Sequence, residues 1–447
     1  MRNFVRLADS SILKTRYGKW YLIDTHVRER ERLLLNDGVE HVLLALFRGD
    51  PIPHVARKYK LPVGELRTFL EHLKNDGVII SSDTPIDSTV KCYANEPPLD
   101  GVNLLITNGC NLRCSHCYVE SGKRVAGELS GAEWVSVLQQ ARHLGAFEIN
   151  VSGGEALIHP EFVQIAEHIG SVSTFNANLN TNATLVSAES AKLIAQCFTS
   201  VQVSLDDSAA ESHDAFRRKT GSFAAALRGI ELLRNAGVQT NVGFTLTKEN
   251  VDSLDEMVTL CDLVGVSMLN IGLVADIGRA HSNNLVRSIG SQAVESGDFV
   301  GHIYSKLRQL SERESKVKLL LPFRVGVNEG LRSQVKERIC DGDNTQLLYI
   351  MANGDMMPCD KLPQGKFTYG NVRERSLFDT WVSTRMKEFK LMSPRQLPKC
   401  STCPHLPICG GACVARSYHG GGSLHATDWT SCSIAQRYAR DRETASI

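Results

Sequence analysis

The sequence predicts an α/β protein built around a partial (β/α)6 TIM-like barrel, with a small N-terminal unit before it and a cysteine-rich unit after it. Two observations predict this fold class. Between residues 101 and 325, apolar strand patterns alternate with amphipathic helix patterns, as in a parallel sheet with helical crossovers. In the final segment, residues 326–447, that alternation stops, and short strand patterns, turns and seven cysteines replace it.

The composition is that of an ordinary globular protein. Of 447 residues, 42% are apolar and 22% are charged, and the net charge of +1 gives no reason to expect binding to nucleic acid or to a membrane. The first ten residues lack the apolar run of a signal peptide, and no apolar stretch is long enough to span a bilayer. We therefore expect a cytoplasmic protein whose 13 cysteines stay reduced, so that clustered cysteines bind metal.

The N-terminal unit, residues 1–82, is predicted to combine a hairpin with three helices and a closing strand. The expected elements lie at residues 12–15 and 19–23 for the hairpin, 39–47, 55–59 and 63–75 for the helices, and 78–80 for the strand. Helices followed by a short strand are typical of a winged helix-turn-helix domain. Residues 83–100 contain three prolines and little periodicity, which favours a linker.

Six strands and their intervening helices predict the barrel. The strand patterns lie at residues 102–107, 147–151, 176–180, 201–205, 240–246 and 268–273. Ser130-Gly131-Ala132-Glu133 is a capping box that opens a helix ending at Gly145, and further helices are expected over 223–236 and 252–264. Functional residues should gather at the carboxyl ends of such strands.

Three cysteines follow the first predicted strand, in the run Cys110-Asn-Leu-Arg-Cys114-Ser-His-Cys117. Three thiolates can hold three irons of a [4Fe–4S] cluster, whose usual complement is four cysteines. The fourth iron is then open to a small chelating molecule. A structural zinc site requires a closed set of four ligands, so a zinc knuckle or a set of buried thiols is the alternative interpretation.

The run resembles the CxxxCxϕC signature of the radical S-adenosylmethionine superfamily, with His116 at the ϕ position. The resemblance implies that S-adenosylmethionine binds the open iron and is cleaved to a 5′-deoxyadenosyl radical, which takes a hydrogen atom from the substrate. It also implies that Cys110, Cys114 and Cys117 are the ligands of the catalytic cluster. It also implies a set of cofactor-binding residues at the strand ends: His116, Gly153, Gly154, Glu155, Asn182, Ser204, Asp206 and Arg217.

Short motifs carry these assignments. Ser152-Gly153-Gly154-Glu155 resembles the family's GGE segment, which contacts the methionine amino group, and Asn180–Thr184 resembles its TNGT run with Ala183 in place of glycine. His213-Asp214-x-x-Arg217 resembles the HDxxR segment of peptide-modifying members, in which Arg217 would pair with the methionine carboxylate. The alternative for Asp206 and Arg217 is a solvated surface charge. Gly278-Arg279-Ala280 resembles a GRA turn, expected to border the substrate opening.

The C-terminal cysteines are spaced like those of the SPASM domain, which carries two auxiliary clusters. The resemblance implies one cluster on Cys340, Cys359 and Cys413, and a second on Cys400, Cys403, Cys409 and Cys432, for three [4Fe–4S] clusters in all. The fourth ligand of the first remains open among Cys92, Asp341, Asp343, solvent and a substrate thiolate. Soft thiolates also suit zinc. The remaining Cys197 and Cys261 are expected to be buried small hydrophobes, with hydrogen donation as the alternative.

The charge of the N-terminal unit does not favour DNA binding. Through Ile80 it carries 14 Lys and Arg against 10 Asp and Glu, a net charge of +4, and its third helix carries two glutamates that phosphates would repel. The unit resembles the PqqD-like recognition element of ribosomal-peptide maturases. That resemblance implies a leader peptide bound at the edge of one strand, formed by Lys19, Trp20, Tyr21, Leu22 and Ile23.

Nearly the whole chain resembles sactipeptide-type thioether synthases. The expected function is therefore the modification of a ribosomally made precursor peptide, through a thioether or carbon–carbon crosslink. An external one-electron reductant such as flavodoxin or ferredoxin is expected as a partner. The alternatives are peptide epimerisation or decarboxylation, an anaerobic sulfatase maturase, and a metal- and redox-sensing DNA regulator.

Overall fold

The computed structural model describes residues 3–16, 19–25, 32–88, 92–93, 99–285, 298–321, 346–409 and 413–445. In the N-terminal unit, the residues that the structure describes form two small sheets and three helices. Its elements are β1 (Phe4–Leu7), β2 (Ser11–Arg16), β3 (Lys19–Asp24), β4 (Arg32–Leu34), α1 (Val39–Phe47), α2 (Ile52–Lys58), α3 (Val63–Asn75), β5 (Ile79–Ser82) and β6 (Cys92–Tyr93).

The predicted hairpin is confirmed, since β2 and β3 pair antiparallel from Ser11 to Asp24. The three helices are also observed, but the strands around them go beyond a winged helix-turn-helix pattern. The closing strand β5 pairs with β1, and a second sheet has the order β4-β3-β2-β6. Apolar residues of the helices and of both sheets, among them Leu22, Leu46 and Leu70, form one buried core.

Strands and helices alternate through the central unit. They are β7 (Gly101–Leu105), α4 (Gly131–His143), β8 (Glu148–Ser152), α5 (Phe162–Gly170), β9 (Asn176–Thr181), α6 (Ala188–Cys197), β10 (Ser200–Ser204), α7 (Ala210–Arg217), α8 (Ser222–Asn235), β11 (Gln239–Leu246), α9 (Leu254–Val264), β12 (Met268–Leu273), α10 (Gly278–Ser282), α11 (Asp298–Glu312) and β13 (Lys318–Leu320). The six predicted strands all occur and pair in parallel. Ser130 and Glu133 form both bonds of the predicted capping box.

The sheet continues beyond those six strands. The C-terminal unit contains β14 (Leu347–Ile350), β15 (Asp355–Met357), β16 (Gly370–Asn371), α12 (Leu377–Trp381), α13 (Thr384–Lys390), α14 (Leu406–Cys409), α15 (Val414–Gly421) and α16 (Trp429–Ala445). Strand β14 pairs in parallel with β7, so among the described residues a sheet of ten strands runs in the order β13-β12-β11-β10-β9-β8-β7-β14-β15-β16. The cysteine-rich unit thus extends the barrel sheet instead of forming a detached domain.

Part of the predicted linker is structured. Strand β6 pairs with β2, and the buried Leu99 and Asp100 lead directly into β7. Lys14 of β2 reaches into this region, where its Nζ lies 3.2 Å from Asp100 Oδ1 and donates to the carbonyl oxygens of Leu99 and Gly145. The N-terminal unit therefore docks where the barrel strands begin, away from their carboxyl ends.

Candidate active site

The loop that carries the three predicted cluster cysteines follows β7, and a hydrogen-bond donor faces each of its three sulfurs. Backbone N–H groups of Leu112 and Ser121 donate to Cys110 Sγ and Cys117 Sγ, both at 3.4 Å. Cys114 Sγ instead accepts from Arg217 Nη1 at 3.5 Å. Such donors stabilise thiolates.

These residues fit an iron–sulfur cluster. Burial raises the pKa of Cys110 to about 11 and also raises that of Cys114, so the unliganded thiols are protonated at neutral pH. These thiols would lose their protons on binding a metal centre, and the donors that already face the sulfurs would stabilise the resulting thiolates. In the described part of the chain no three metal-ligating side chains close around a single ion. A four-iron cluster is larger than one ion and needs ligands placed farther apart.

The GGE segment ends β8, with its glutamate turned inward. Glu155 is fully buried and accepts from Thr181 Oγ1 and Asn182 N, both at 2.7 Å. The two glycines lie against the loop after β7, and a Cβ on Gly154 would overlap the carbonyl oxygen of Gly109. Glu155 thus holds the turn after β9, while only the glycine backbone can approach a ligand.

The turn after β9 adopts a glycine-like conformation without a glycine. Ala183 has a φ of 57°, in the left-handed region, where the resembled motif carries glycine. Asn182 accepts from Thr184 N at 3.0 Å and donates to Asn111 Oδ1 at 2.9 Å, which joins this turn to the cluster loop. Asn182, which was predicted to bind the cofactor, thus lies beside the loop that carries the cysteines.

The alternative that Asp206 and Arg217 are solvated surface charges is wrong. The two side chains are buried and form an ion pair. Asp206 Oδ1 also accepts from Thr245 N at 2.8 Å. Burial alone would raise the pKa of Asp206, but Arg217 keeps it below its ordinary value. Ser204, the last residue of β10, lies two residues before Asp206.

His116 packs beside the same pair. Its ring stacks on Phe216, with centroids 4.4 Å apart and planes 6° from parallel. Burial lowers the pKa of His116 to about 4, so the imidazole is neutral at neutral pH. Its Nδ1 is buried and lacks a hydrogen-bond partner among the described residues, which leaves it for a ligand.

The GRA turn contacts the cluster loop, a role that the sequence did not indicate. Arg279 donates from Nε to Cys114 O at 2.8 Å and from Nη1 to Ser121 O at 2.9 Å. Its backbone N–H donates to Cys117 O at 3.1 Å, and Asn283 donates to Ser115 O at 2.8 Å. Helix α10 and the residue after it therefore fix the loop from its second cysteine to Ser121. The segment expected to border the opening continues into residues 286–297, which lie outside the described residues.

A cavity of about 490 Å³ opens between the carboxyl ends of the barrel strands and the C-terminal unit. Gly153 and Gly278 line it from the barrel side, and Lys361 from the other. Tyr118 and Asp360 meet in its wall through a hydrogen bond of 2.6 Å, and burial raises the pKa of the Tyr118 phenol. Each of these two residues directly follows a predicted cluster cysteine, a signal that the sequence offered and that motif matching missed.

The C-terminal cysteines separate into two sets. Burial, together with the nearby thiols of Cys409, Cys400 and Cys403, raises the pKa of Cys432 to about 12. Burial likewise raises the pKa of Cys359 to about 12, with Cys413 as a neighbouring thiol. Cys340, Asp341 and Asp343 lie outside the described residues, as does the side chain of Cys92. Buried thiols this close together are suited to soft metal centres.

The other two cysteines lie away from these sets. Cys261 is fully buried in α9 within the apolar core of the barrel, and Cys197 packs against that core at the end of α6. Neither lines the cavity.

The predicted leader strand does not lie at a sheet edge. Strand β3 pairs with β2 on one side, and its residues Tyr21 to Ile23 pair with β4 on the other. The predicted edge position is therefore wrong, because a short strand after the hairpin covers it. Strand β4 ends that sheet within the described residues.

Comparison with known proteins gives the chain its family. Residues 104–261 match the model of the radical SAM superfamily, and residues 340–404 match that of SPASM, an iron–sulfur cluster-binding domain. The AdoMet-dependent heme synthase of Methanosarcina barkeri is 30% identical over 337 residues, which cover 71% of this chain and 91% of that protein. Mycofactocin maturase MftC of Mycolicibacterium smegmatis is 28% identical, over 72% of this chain and 80% of that protein.

Solved structures agree on the fold. Streptococcus suis SuiB bound to its precursor peptide SuiA superposes with a TM-score of 0.67 at 14% identity, covering 96% of this chain and 100% of that one. The structure of anSMEcpe with bound AdoMet superposes with a TM-score of 0.60 at 18% identity, over 77% of this chain and 98% of that one. No helix among the described residues is both long and apolar enough to cross a bilayer. The chain belongs to the radical SAM superfamily, and it is an enzyme of the group that binds S-adenosylmethionine, a [4Fe–4S] cluster and the auxiliary iron–sulfur clusters of a SPASM domain.

Proposed function

We propose that this enzyme modifies a ribosomally made precursor peptide and forms an intramolecular thioether or carbon–carbon bond in it. The observation that carries the proposal is the extent of the shared architecture. The likeness to SuiB in complex with SuiA covers 96% of this chain, and that extent takes in part of the N-terminal sheets as well as the barrel. The MftC relatives are maturases by name.

We assign the N-terminal unit as a PqqD-like leader recognition element, with the outer edge of β4 as the leader site. Leu35 N donates to Trp20 O at 2.9 Å, and the register continues as Tyr21 opposite Leu34. Because donors alternate in an antiparallel pair, the N–H of Leu34 points away from β3. Leu34 and Leu33 are also exposed, at 47% and 41%. An added strand would gain main-chain bonds and apolar pockets there.

The cavity between the barrel and the C-terminal unit is the place for the core peptide. At about 490 Å³ it has room for a few side chains. Tyr118 and Asp360 present a hydrogen-bonded phenol and carboxylate on its wall, a pair that can hold or accept a substrate proton. Both residues adjoin cysteines assigned to clusters, which supports a substrate position between the two centres.

Three groups of cysteines would hold the clusters. Cys110, Cys114 and Cys117 would hold the cluster that binds S-adenosylmethionine, and the two C-terminal sets would hold the auxiliary clusters. When bound, these groups supply abstraction of a hydrogen atom and acceptance of the surplus electron. An external one-electron reductant such as flavodoxin or ferredoxin would supply electrons.

Anaerobic co-expression with a short peptide encoded beside the gene tests the proposal. A crosslink removes two hydrogen atoms, which mass spectrometry detects, and fragmentation locates the bond. Decarboxylation removes carbon dioxide instead. Epimerisation leaves the mass unchanged in water but adds one mass unit in deuterium oxide. An unmodified peptide, with a competent reductant present, would count against a peptide substrate.

A matched pair of variants tests the leader site. Leu34→Pro removes the outward N–H of β4 and should weaken peptide binding, whereas Leu34→Lys keeps that donor and loses only the apolar side chain. Equal binding by both variants would show that main-chain pairing at β4 is not used.

A heme-forming reaction is the second candidate, because the Methanosarcina barkeri relative is named a heme synthase and is 30% identical. That match leaves more than a quarter of this chain uncovered. Heme absorbance in anaerobic extracts, measured with and without the enzyme, separates this reaction from peptide modification.

A further inference from the structure

The three sulfurs of the cluster loop differ in what donates to them. Cys110 and Cys117 accept from neutral backbone N–H groups at 3.4 Å. Cys114 accepts from the guanidinium of Arg217, a residue only 7% exposed. A charge-assisted hydrogen bond is about twice as strong as a neutral one, so Cys114 accepts the strongest hydrogen bond of the three sulfurs.

The cation is fixed in place by its other contacts. Arg217 Nη2 pairs with Asp206, and Asp206 is held in turn by Thr245 N at 2.8 Å and by its own N–H to His213 Nδ1 at 3.2 Å. In this ion pair the guanidinium of Arg217 faces the Cys114 sulfur, and the carboxylate of Asp206 lies on the far side of the guanidinium. Arg217 therefore stabilises the Cys114 thiolate more than Asp206 destabilises it.

The contact with sulfur differs from the role that the family resemblance implies for Arg217. Nη1 and Nη2 already face Cys114 and Asp206. Nε is buried and lacks a hydrogen-bond partner among the described residues, so it remains open to a ligand carboxylate. One side chain can thus serve both the sulfur and the ligand, and the two roles are separable by measurement.

We propose that Arg217 is a positioning residue that sets the reduction potential of the cluster through its hydrogen bond to Cys114 Sγ. A reduced cluster carries one more negative charge than an oxidised one. A cation held at a ligand sulfur in a low-dielectric site stabilises the reduced form more, and so raises the potential. The opposite end of the pair, Asp206, lowers it.

Redox titration of the full-length, anaerobically reconstituted enzyme tests this, with the cluster followed by electron paramagnetic resonance. The signal of interest is the one that changes when S-adenosylmethionine is added. Arg217→Gln should disfavour one-electron reduction about tenfold, a fall of about 59 mV. Arg217→Lys keeps a cation at this position, so its reduction potential should lie between those of Arg217→Gln and the natural enzyme. The matched control is Arg218→Gln, which removes an exposed cation that bonds to Asn283 and does not touch sulfur.

Asp206→Asn distinguishes the proposal from a purely structural role by the direction in which the reduction potential changes. Removing the anion should raise the potential, whereas a purely structural role would harm the cluster in the same direction as Arg217→Gln. If Arg217→Gln fails to take up iron, the double variant R217Q/D206N leaves no lone buried charge, and its potential should still lie below that of the natural enzyme. An unchanged potential in the single or double variant, or an Asp206→Asn potential that does not rise, overturns the proposal. Arg217 would then serve the ligand alone. No peptide is present, so the outcome is independent of the proposed substrate.

Discussion

Replacing Lys14 by methionine would separate the N-terminal unit from the barrel. Lys14 and Asp100 are both 0% exposed, with Nζ 3.2 Å from Oδ1, and Nζ also donates to Gly145 O at 2.8 Å. Methionine fills similar space but leaves the Asp100 carboxylate buried without its cation. Breaking a buried pair in this way costs about 3–5 kcal/mol.

Proteolysis measures that cost directly, because a chain of several units does not unfold in one two-state step. Cleavage at the buried Leu99 and Asp100 by dilute protease follows the equilibrium population of the undocked form. The expected cost corresponds to an acceleration between about a hundredfold and a few thousandfold. Asp100→Asn in the Lys14→Met background should recover part of it, because the buried negative charge is then removed together with its cation.

Lys248→Met is the matched control, since Lys248 and Glu249 form an exposed pair at 3.8 Å. Such pairs contribute about 0–1 kcal/mol, so its cleavage rate should stay within a few-fold of the natural enzyme. If Lys14→Met behaved like Lys248→Met, the buried pair would not be what docks the N-terminal unit.

Three further predictions concern the site. Gly154→Ala would force the GGE backbone away from Gly109 and should weaken S-adenosylmethionine binding at least tenfold in equilibrium dialysis, whereas Gly272→Ala, with open space around its Cβ, should not. Burial lowers the pKa of His213 to about 4, so its contribution to stability is complete above pH 6.5 and is lost as the pH falls towards 4, by about 3 kcal/mol at most. His213→Gln should therefore narrow the difference between pH 7 and pH 5 in the midpoint temperature of the barrel's own transition in calorimetry, and an unchanged difference would contradict this. Cys400→Ala should reduce bound iron by one cluster and abolish peptide crosslinking while slow release of 5′-deoxyadenosine continues; Cys261→Ala should keep the full iron content, and intact crosslinking by Cys400→Ala would refute the electron-acceptor role.

The sequence predicted those parts of the fold that local patterns determine. The six barrel strands follow from apolar runs bounded by turns, and the Ser130 capping box follows from a four-residue motif. Pairing between distant strands has no such local signal. Strand β14 joins β7 although more than 240 residues separate them, and strand β4 is only three residues long. A three-residue strand is too short to show periodicity, and this is why β3 was predicted as an edge.

Motifs located the site but did not reveal its internal contacts. The positions of Cys110, Glu155 and Arg217 near one another follow from the carboxyl ends of neighbouring strands. That Arg217 faces a sulfur 103 residues away, and that Glu155 turns inward, depends on side-chain packing. Lys14 is a further case, because a lysine on a strand predicts solvent exposure and the structure buries it completely.

The cluster loop illustrates why tertiary structure has to come first. Between Cys114 and Ser121 its carbonyl groups accept from Arg279 and Asn283 of the segment after β12, and its sulfur accepts from Arg217 at the end of α7. The loop also has bonds of its own, such as Cys110 N to Gly122 O at 2.9 Å. Its conformation therefore depends in part on strands β10 to β12 being assembled, since those strands carry the outside donors into place. In the assembled barrel Leu112, Ser121 and Arg217 already donate to the three sulfurs that would hold the cluster, which is the preorganisation that a redox centre requires.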